Sequence, residues 1–249
     1  MNKAYIKKEN IIMTLFIVCL ILFNSACGLD TYYVIDPPGL VVNEPEYQSL
    51  DPSSQYFEFY TNEKEYEGLR FLGTEIYYRI YRNADRLKSD CNTIIAAANN
   101  TEKSSNTPTM LDSYKFKTLE AYGYNETVLV PSAGISRLVH VRLSDYDPYF
   151  AQMLVAGSNF YGAAAKVIPI RNYASIKDPL STSVYSFSFK QIDSSLRPKS
   201  GDEDVDYSGS GSDSVWYVAM FAVSVAQEAT YARDRSNVVY LGSVTINVD

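Results

Sequence analysis

Three aspartates at alternate positions, followed by a fourth, form the clearest set of side chains in this sequence that could bind a metal ion. They are Asp202, Asp204, Asp206 and Asp213. Carboxylates at the first, third, fifth and twelfth positions of a loop are typical ligands of Ca²⁺. Tyr207, however, stands where such a loop needs glycine for its turn. A calcium loop and a solvated acidic loop therefore remain the two interpretations, and the Gly/Ser-rich continuation of residues 197–214 predicts mobility.

Cys27 is the second candidate, and the chemistry that it suggests is covalent. Three lysines among the first eight residues precede an uncharged apolar run from Ile11 to Phe23. This run is 13 residues long, which is too short for a bilayer core that needs about 20 helical residues. It suits the apolar part of an export signal, and the small residues Ser25 and Ala26 then precede the cysteine.

The segment Asn24-Ser25-Ala26-Cys27-Gly28 resembles the lipobox of bacterial lipoproteins. That resemblance implies that Cys27 receives a diacylglycerol thioether and becomes the acylated first residue of the mature chain. The usual pattern has Leu three residues before the cysteine, and Asn24 stands there instead, as in relaxed lipoboxes similar to those of spirochaetes. Gly28 is compatible with the outer membrane. One alternative is an ordinary secretory signal cut near Ala26, which leaves Cys27 as a free thiol, and the other is an uncleaved anchor.

His140 is the only histidine of the chain, so a Ser-His-Asp or Cys-His site would have to use it. No G-x-S-x-G motif accompanies it, and its place in an alternating apolar segment favours an ordinary strand residue. One histidine and few cysteines also argue against zinc. We therefore predict no catalytic residue and no cofactor.

Composition and charge further limit the partners and the fold class that this chain can have. The chain carries a net charge of −7 and contains 22 Tyr and 11 Phe. An acidic surface repels nucleic acid and anionic head groups, so we expect membrane contact through the N-terminal lipid alone. Aromatic and β-branched residues favour strands. Cys91 would be the one remaining cysteine besides Cys27 once the signal is removed, which rules out an intramolecular disulfide.

Hydrophobic alternation with period two predicts most of the regular structure as strands. The segments are 56–61, 74–81, 114–119, 127–130, 137–143, 184–189, 215–226 and 238–248. Residues 215–226 are apolar on both faces, which is typical of a central strand. Gly242 marks a possible bulge. The prolines of residues 28–47 indicate a tether, although Leu40 to Val42 could form a first edge strand.

One helix is predicted after Asn83. Leu87, Cys91, Ile94 and Ala98 recur at helical spacing, and Asn83 is a suitable N-cap. The pair Asn99-Asn100 ends the pattern. Cys91 falls on the apolar face, so we expect it to be buried and unreactive.

Residues 73–79 (GTEIYYR), 216–224 and 238–248 together resemble the third, penultimate and last strands of a fibronectin type III or related immunoglobulin-like sandwich. The resemblance implies an antiparallel β-sandwich over residues 48–249 with a long insertion at about residues 83–179 that contains one short helix. The alternative is two small β units side by side. The pattern as a whole is also similar to lipoproteins of spirochaetes, a resemblance that implies an envelope location and no particular activity.

The sequence therefore predicts a signal peptide over residues 1–26, a lipidated tether over 27–47 and a mostly-β body anchored in the cell envelope. We expect a binding or structural role with a protein or carbohydrate ligand, and the alternative is a periplasmic carbohydrate-active or other hydrolytic enzyme. A set of tyrosines could line a ligand surface or form cross-strand pairs. They are Tyr77, Tyr81, Tyr146, Tyr149, Tyr161 and Tyr173.

Overall fold

A computed structural model describes residues 34–49, 51–121, 128–145, 151–156, 167–172, 187, 189 and 197–248. The chain divides into two units, Met1–Val34 and Ile35–Asp249, and the structure below is that of the second unit. Cys27 and the predicted signal peptide lie outside the described residues.

The described part of the chain is built mainly from strands. They are β1 (Val41–Asn43), β2 (Phe57–Tyr60), β3 (Leu69–Tyr81), β4 (Lys117–Thr118), β5 (Glu120–Ala121), β6 (Val130–Pro131), β7 (Leu138–Arg142), β8 (Gln152–Val155), β9 (Pro169–Ile170), β10 (Val205–Asp206), β11 (Val215–Glu228), β12 (Arg233–Arg235) and β13 (Val239–Asn247). The α-helices are α1 (Ala84–Ala98) and α2 (Thr107–Ser113), and two short 3₁₀ turns span Pro52–Ser54 and Ser104–Asn106. The predicted mostly-β, antiparallel fold is confirmed.

Strand β11 is the centre of the larger sheet. It pairs antiparallel with β3 along one edge, and with β13 and then β12 along the other. Val218, Met220 and Ala222 face one core while Ala219 and Phe221 face another. The prediction of a central strand covered on both faces is therefore confirmed, and its cause is the absence of any polar face along this segment.

The smaller sheet has the order β1-β2-β7-β8 and packs on one face of the larger sheet. Phe57 and Phe59 alternate inward on β2, and Val139 and Val141 do the same on the neighbouring β7. Side chains of both sheets, with Trp216, fill one shared core. Each fully buried side chain of this kind contributes about 1.5–3 kcal/mol relative to exposure.

The helices cover the other face of the larger sheet and form a third layer. Asn83 caps the N-terminus of helix α1, as predicted. Its side chain accepts a hydrogen bond from the Arg86 amide at 2.9 Å. Leu87, Cys91 and Ile94 then pack against the outward face of β11. The predicted burial of Cys91 is confirmed, and burial raises the pKa of its thiol to about 12.

The region that we predicted to be an insertion, residues 83–179, contributes to all three layers. It supplies both helices, the strands β7 and β8 of the smaller sheet, and the short strands β4 and β6 that pair with β3. Helix α2 was not predicted, because its seven residues are too few to show a period. The sandwich that the structure describes therefore includes strands from this region.

The segment from Ile35 to Tyr47, which we predicted to belong to a tether, packs on the body. Ile35 is buried, and β1 pairs antiparallel with β2. The Ser243 amide donates to the Pro45 carbonyl at 2.7 Å, beside the predicted bulge at Gly242. The tether prediction is therefore wrong from Ile35 onward, because Ile35 is buried and β1 joins the smaller sheet.

Candidate functional site

The candidate site is an open cleft of ≈ 760 Å³ beside β3, between the end of α2 and the turn that precedes β10. Its walls combine charged, amide, hydroxyl and aromatic side chains. The lining residues are Tyr77, Asp112, Lys115, Phe116, Lys117, Thr118, Asn172, Gly201, Asp202, Glu203 and Val205. Clefts of a few hundred cubic ångströms with converging polar groups are typical of ligand sites.

The end of α2 positions one rim of the cleft. The amide of Phe116 donates to the Leu111 carbonyl at 2.9 Å, and the amide of Lys115 donates to the Asp112 carbonyl at 3.0 Å. These two bonds form a Schellman motif, which places Lys115 in the left-handed region with a φ of 58°. Glycine is the usual residue there, so an exposed lysine occupies a backbone position that disfavours it.

The opposite wall is held by a buried ionic cluster around Arg171. Its guanidinium donates to Asp204 through Nε at 2.7 Å and through Nη2 at 2.6 Å, and to Asp202 at 2.9 Å. Both carboxylates come from the segment just before β10, a strand that pairs parallel with β3. One arginine therefore fixes a segment that lies about thirty residues further along the chain.

Tyr78 extends this cluster into the core. Its hydroxyl donates to Asp204 at 2.8 Å and accepts the amide of Asn172 at 2.7 Å. Burial and the neighbouring carboxylate raise the pKa of Tyr78 well above its usual value. Burial opposes the charge of Arg171, but its bonds to Asp204 and Asp202 more than offset that and raise its pKa. The arginine thus remains a cation and the tyrosine remains a neutral donor.

Asp202 has one carboxylate oxygen without a partner. Its side chain is only 1% exposed, and Oδ2 accepts from Arg171 and from the Lys199 amide at 3.2 Å. Oδ1 is buried and has no hydrogen-bond partner among the described residues. A buried acceptor left unpaired costs about 1–3 kcal/mol, and more when it is charged, so this oxygen lowers the stability of the wall.

Ion pairs neutralise most of the remaining charge in the cleft. Lys117 binds Glu203 at 2.7 Å, and Arg235 binds Asp112 at 3.3 Å. Lys117 lowers the pKa of Glu203, which stays ionised. Within the described part of the chain, Lys115 is the one charged lining residue that has no ion pair.

The four aspartates of the predicted calcium loop bind arginines and do not form a loop of free ligands. Asp202 and Asp204 share Arg171, Asp206 binds Arg79 at 3.2 Å, and Asp213 binds Arg82 at 2.9 Å. In the parts of the chain that the structure describes, no group of three or more acidic, His or Cys side chains is placed to hold a metal ion.

The prediction that this segment is solvated is wrong for the first three aspartates, which are buried. Their guanidinium partners, distant in sequence, compensate the cost of burying the carboxylates. The pattern of acidic, Gly and Ser residues alone could not reveal these partners, so the sequence favoured a loop.

His140 lies on β7 as predicted, with Nδ1 at 3.4 Å from Glu58 and its ring stacked on Tyr56. Among the described residues, no nucleophilic side chain hydrogen-bonds to His140. Of the six tyrosines, Tyr81 is fully buried and Tyr77 is 5% exposed at the cleft wall. The other four lie outside the described residues.

Comparison of the chain with protein-family models, with curated proteins and with solved structures found no match. Among the described residues, neither helix is long and apolar enough to cross a bilayer.

Sequence reasoning singled out Asp202 for its charge but missed Arg171 and Lys115. The only sequence signal for Lys115 would have been the end of a seven-residue helix.

Proposed function

We propose that this chain is a lipid-anchored protein of the bacterial cell envelope, held through Cys27 at the outer membrane, whose body binds a small polar ligand in the cleft. The anchor is supported by the basic, apolar and small-residue order of the first 28 residues. The observation that carries the binding role is the cleft of ≈ 760 Å³ itself, which is lined by donors and acceptors and has the unpaired ammonium of Lys115 on its rim.

The electrostatics of the cleft favour binding over hydrolysis, which is the alternative function. A glycoside hydrolase needs one carboxyl group that is protonated near neutral pH and a second that is ionised. Lys117 holds Glu203 in its ionised form, and Arg235 and Arg171 each bind one of the other two lining carboxylates. Each carboxyl group of the described lining is therefore engaged in an ion pair, an arrangement that suits recognition of a ligand better than donation of a proton to a leaving group.

The charge of the whole chain limits the partners. A net charge of −7 disfavours nucleic acid and anionic lipid surfaces. In this proposal the acyl chains on Cys27 hold the protein at the membrane. Two or more acyl chains make a stable anchor, whereas a single chain binds only marginally.

The anchor is tested by expressing the full chain in a Gram-negative host and separating membranes from soluble periplasm. We expect the wild-type protein in the membrane fraction, with an acylated N-terminal Cys27 peptide in mass spectrometry. Cys27→Ser should move the protein out of the membrane fraction. Cys91→Ala is the matched control, because it removes the other cysteine of the mature chain and should leave the protein in membranes. An unmodified Cys27 would refute the anchor.

The binding role is tested on the mature chain that carries Cys27→Ser, by thermal shift against amino acids, short peptides, neutral saccharides and nucleosides. We expect one class to raise Tm, and the same ligand to raise it less in Lys115→Gly, which removes the one charge without an ion pair among the described lining residues. If none of the four classes stabilises the protein, the binding role is wrong.

A further inference from the structure

Three loops and the segment that leads into β1 meet at one end of the body, which we call the basal end. It comprises residues 35–40, 61–68, 132–137 and 229–232. Strand β2 ends beside the start of β7, where Tyr60 pairs with Leu138. Strand β11 ends beside the start of β3, where Glu228 pairs with Leu69. Because one loop joins β2 to β3, all of these segments share the same end.

The chain leaves the body toward Cys27 from the basal end. Ile35 is buried against Leu69 and Ala226, and Cys27 precedes it by eight residues. Eight extended residues span at most about 28 Å. Val215, at the other end of β11, is eleven residues from Ala226, a distance of about 36 Å along a strand. A lipid on Cys27 therefore keeps the basal end near the bilayer and the opposite end out of its reach.

The basal end carries exposed apolar side chains on separate segments. Leu40 is 73%, Ile135 is 60% and Tyr231 is 82% exposed. Tyr60, which is 40% exposed, lies beside Leu40, because its amide donates to the Leu40 carbonyl at 3.0 Å. At the opposite end, where β3 ends and β11 begins, no large apolar side chain of the described residues is comparably exposed. Apolar groups that gather at one place mark a contact surface.

A bilayer is the surface that the anchor brings to these side chains. Tyrosine and aliphatic side chains are typical of the interfacial layer of a membrane. The exposed charges of the loop 61–68 and of the adjacent first turn of β3 sum to zero. They are Lys64, Glu65, Glu67 and Arg70. The whole chain has a net charge of −7, which opposes anionic head groups, so a zwitterionic surface suits the basal end.

We propose that the basal end of this protein rests on a zwitterionic bilayer, with Leu40, Ile135 and Tyr231 in the interfacial layer. This orientation rests on the proposed acyl anchor and extends the membrane contact from the lipid to the body. Tyr77, in the wall of the cleft, is eight residues along β3 from Leu69, a distance of about 26 Å. The cleft therefore stays clear of the bilayer.

Hydrogen exchange followed by mass spectrometry tests this orientation on the mature chain that carries Cys91→Ala. The Cys27 thiol is coupled to a maleimide lipid in phosphatidylcholine vesicles, and the reference is the same chain capped with N-ethylmaleimide. We expect amide exchange in residues 61–68, 132–137 and 229–232 to slow at least about 5-fold on coupling. Residues 208–213, next to the start of β11, should exchange at an unchanged rate.

The chemical coupling separates this orientation from the anchor on which it rests. It needs no acylation by a host, so an unmodified Cys27 in cells would refute the anchor while the exchange experiment still measures how the body lies on a bilayer. Replacing half of the phosphatidylcholine with phosphatidylglycerol should weaken the slowing, because the chain is acidic. Stronger slowing on the anionic vesicles would overturn the preference for a zwitterionic surface.

A double variant, Ile135→Ser with Tyr231→Ser, removes two exposed apolar groups without opening a core, so it should fold. We expect the slowing to be lost in this variant. Leu154→Ser is the matched control, because Leu154 is 38% exposed on β8, away from the basal loops, and it should retain the slowing.

Two results would overturn the orientation. One is unchanged exchange in the basal loops on coupling, or slowing confined to the exposed strands of the smaller sheet. The other is slowing in the capped chain that increases with protein concentration, which would show that a second copy of the chain covers the basal end.

Discussion

At the scale of single residues, two side chains occupy backbone positions that suit glycine. Lys115 and Tyr231 are the non-glycine residues with positive φ among those that the structure describes. Lys115 ends a helix at the cleft, and Tyr231 lies in the turn between β11 and β12, where its amide donates to the Glu228 carbonyl at 2.9 Å. Only Lys115 lines the cleft. A substitution at Tyr231 therefore measures the effect of the backbone strain alone.

We predict that Tyr231→Gly raises the free energy of unfolding by about 0.5–1 kcal/mol. Relief of left-handed strain is worth about 1–2 kcal/mol, and the extra freedom of glycine in the unfolded chain removes part of it. Urea unfolding followed by circular dichroism measures the change. A loss of stability would show that the exposed ring makes contacts that the structure does not contain.

Asp206 is a buried carboxylate that stabilises the fold. It binds Arg79 at 3.2 Å and accepts the Ser208 amide at 2.9 Å. Burial opposes its charge, but the bonds from Ser208 and the positive charge of Arg79 more than offset burial and lower the pKa of Asp206. A lowered folded-state pKa means that the stabilisation is present above the unfolded value near 3.8 and is lost as pH falls through the lower folded value.

We predict that Asp206→Asn lowers the free energy of unfolding by about 3 kcal/mol at pH 7, because Arg79 then lies buried opposite a neutral group. The difference from wild type should shrink as pH falls below about 3.8, where the unfolded carboxyl takes up its proton. Urea titrations from pH 7 to pH 3 measure it. Glu203→Gln is the control, since the exposed pair with Lys117 is screened and its loss should hardly change stability. A difference that stays constant with pH would contradict this account of Asp206.

At the scale of elements, the sequence predicts those strands and helices that are long enough to show a hydrophobic period. Strands β3, β11 and β13 and helix α1 each extend over nine or more residues, which is long enough for alternation or helical spacing to appear. Strand β10 has two residues; Arg79 binds Asp206 within it, and Arg171 binds Asp204 just before it. Composition alone therefore favoured a mobile loop there, and the cleft wall that it forms could not be predicted.

Docking of the segment from Ile35 to Tyr47 depends on the bulge at Gly242. Its φ is +112°, and an added Cβ would lie 2.6 Å from the Pro45 carbonyl oxygen. Gly134 has a φ of +73° with nothing within 4 Å of an added Cβ. The two glycines share a left-handed backbone and differ in what lies beside them.

We predict that Gly242→Ala lowers the free energy of unfolding by about 2–5 kcal/mol, from about 1–2 kcal/mol of backbone strain and about 1–3 kcal/mol of overpacking. Gly134→Ala should cost only the first part. Urea unfolding of both variants measures the difference. Equal effects would mean that Pro45 is not held against β13, and that the segment is a tether after all.

At the scale of the whole molecule, the two cores share one sheet. Trp216 is 1% exposed in the core between the sheets, and Cys91 is 2% exposed in the core beneath the helices. Strand β11 contributes to both cores, and residues 83–179 contribute to all three layers. The layers should therefore unfold together.

We predict a single unfolding transition in the mature chain that carries Cys27→Ser, where Cys91 is the one thiol and Trp216 the one indole. Fluorescence of Trp216 and thiol labelling of Cys91 should give the same urea midpoint. Labelling that precedes the fluorescence change would show that the helix layer opens separately, as expected of an insertion.

The proposed function places ligand binding in the cleft between α2 and the turn before β10. Amide chemical shifts of the isotope-labelled mature chain, recorded during a titration with the ligand class that raises Tm, test it most directly. We predict saturable shifts at residues 115–118 and 199–206. Saturable shifts confined to another face of the body would contradict the proposed function.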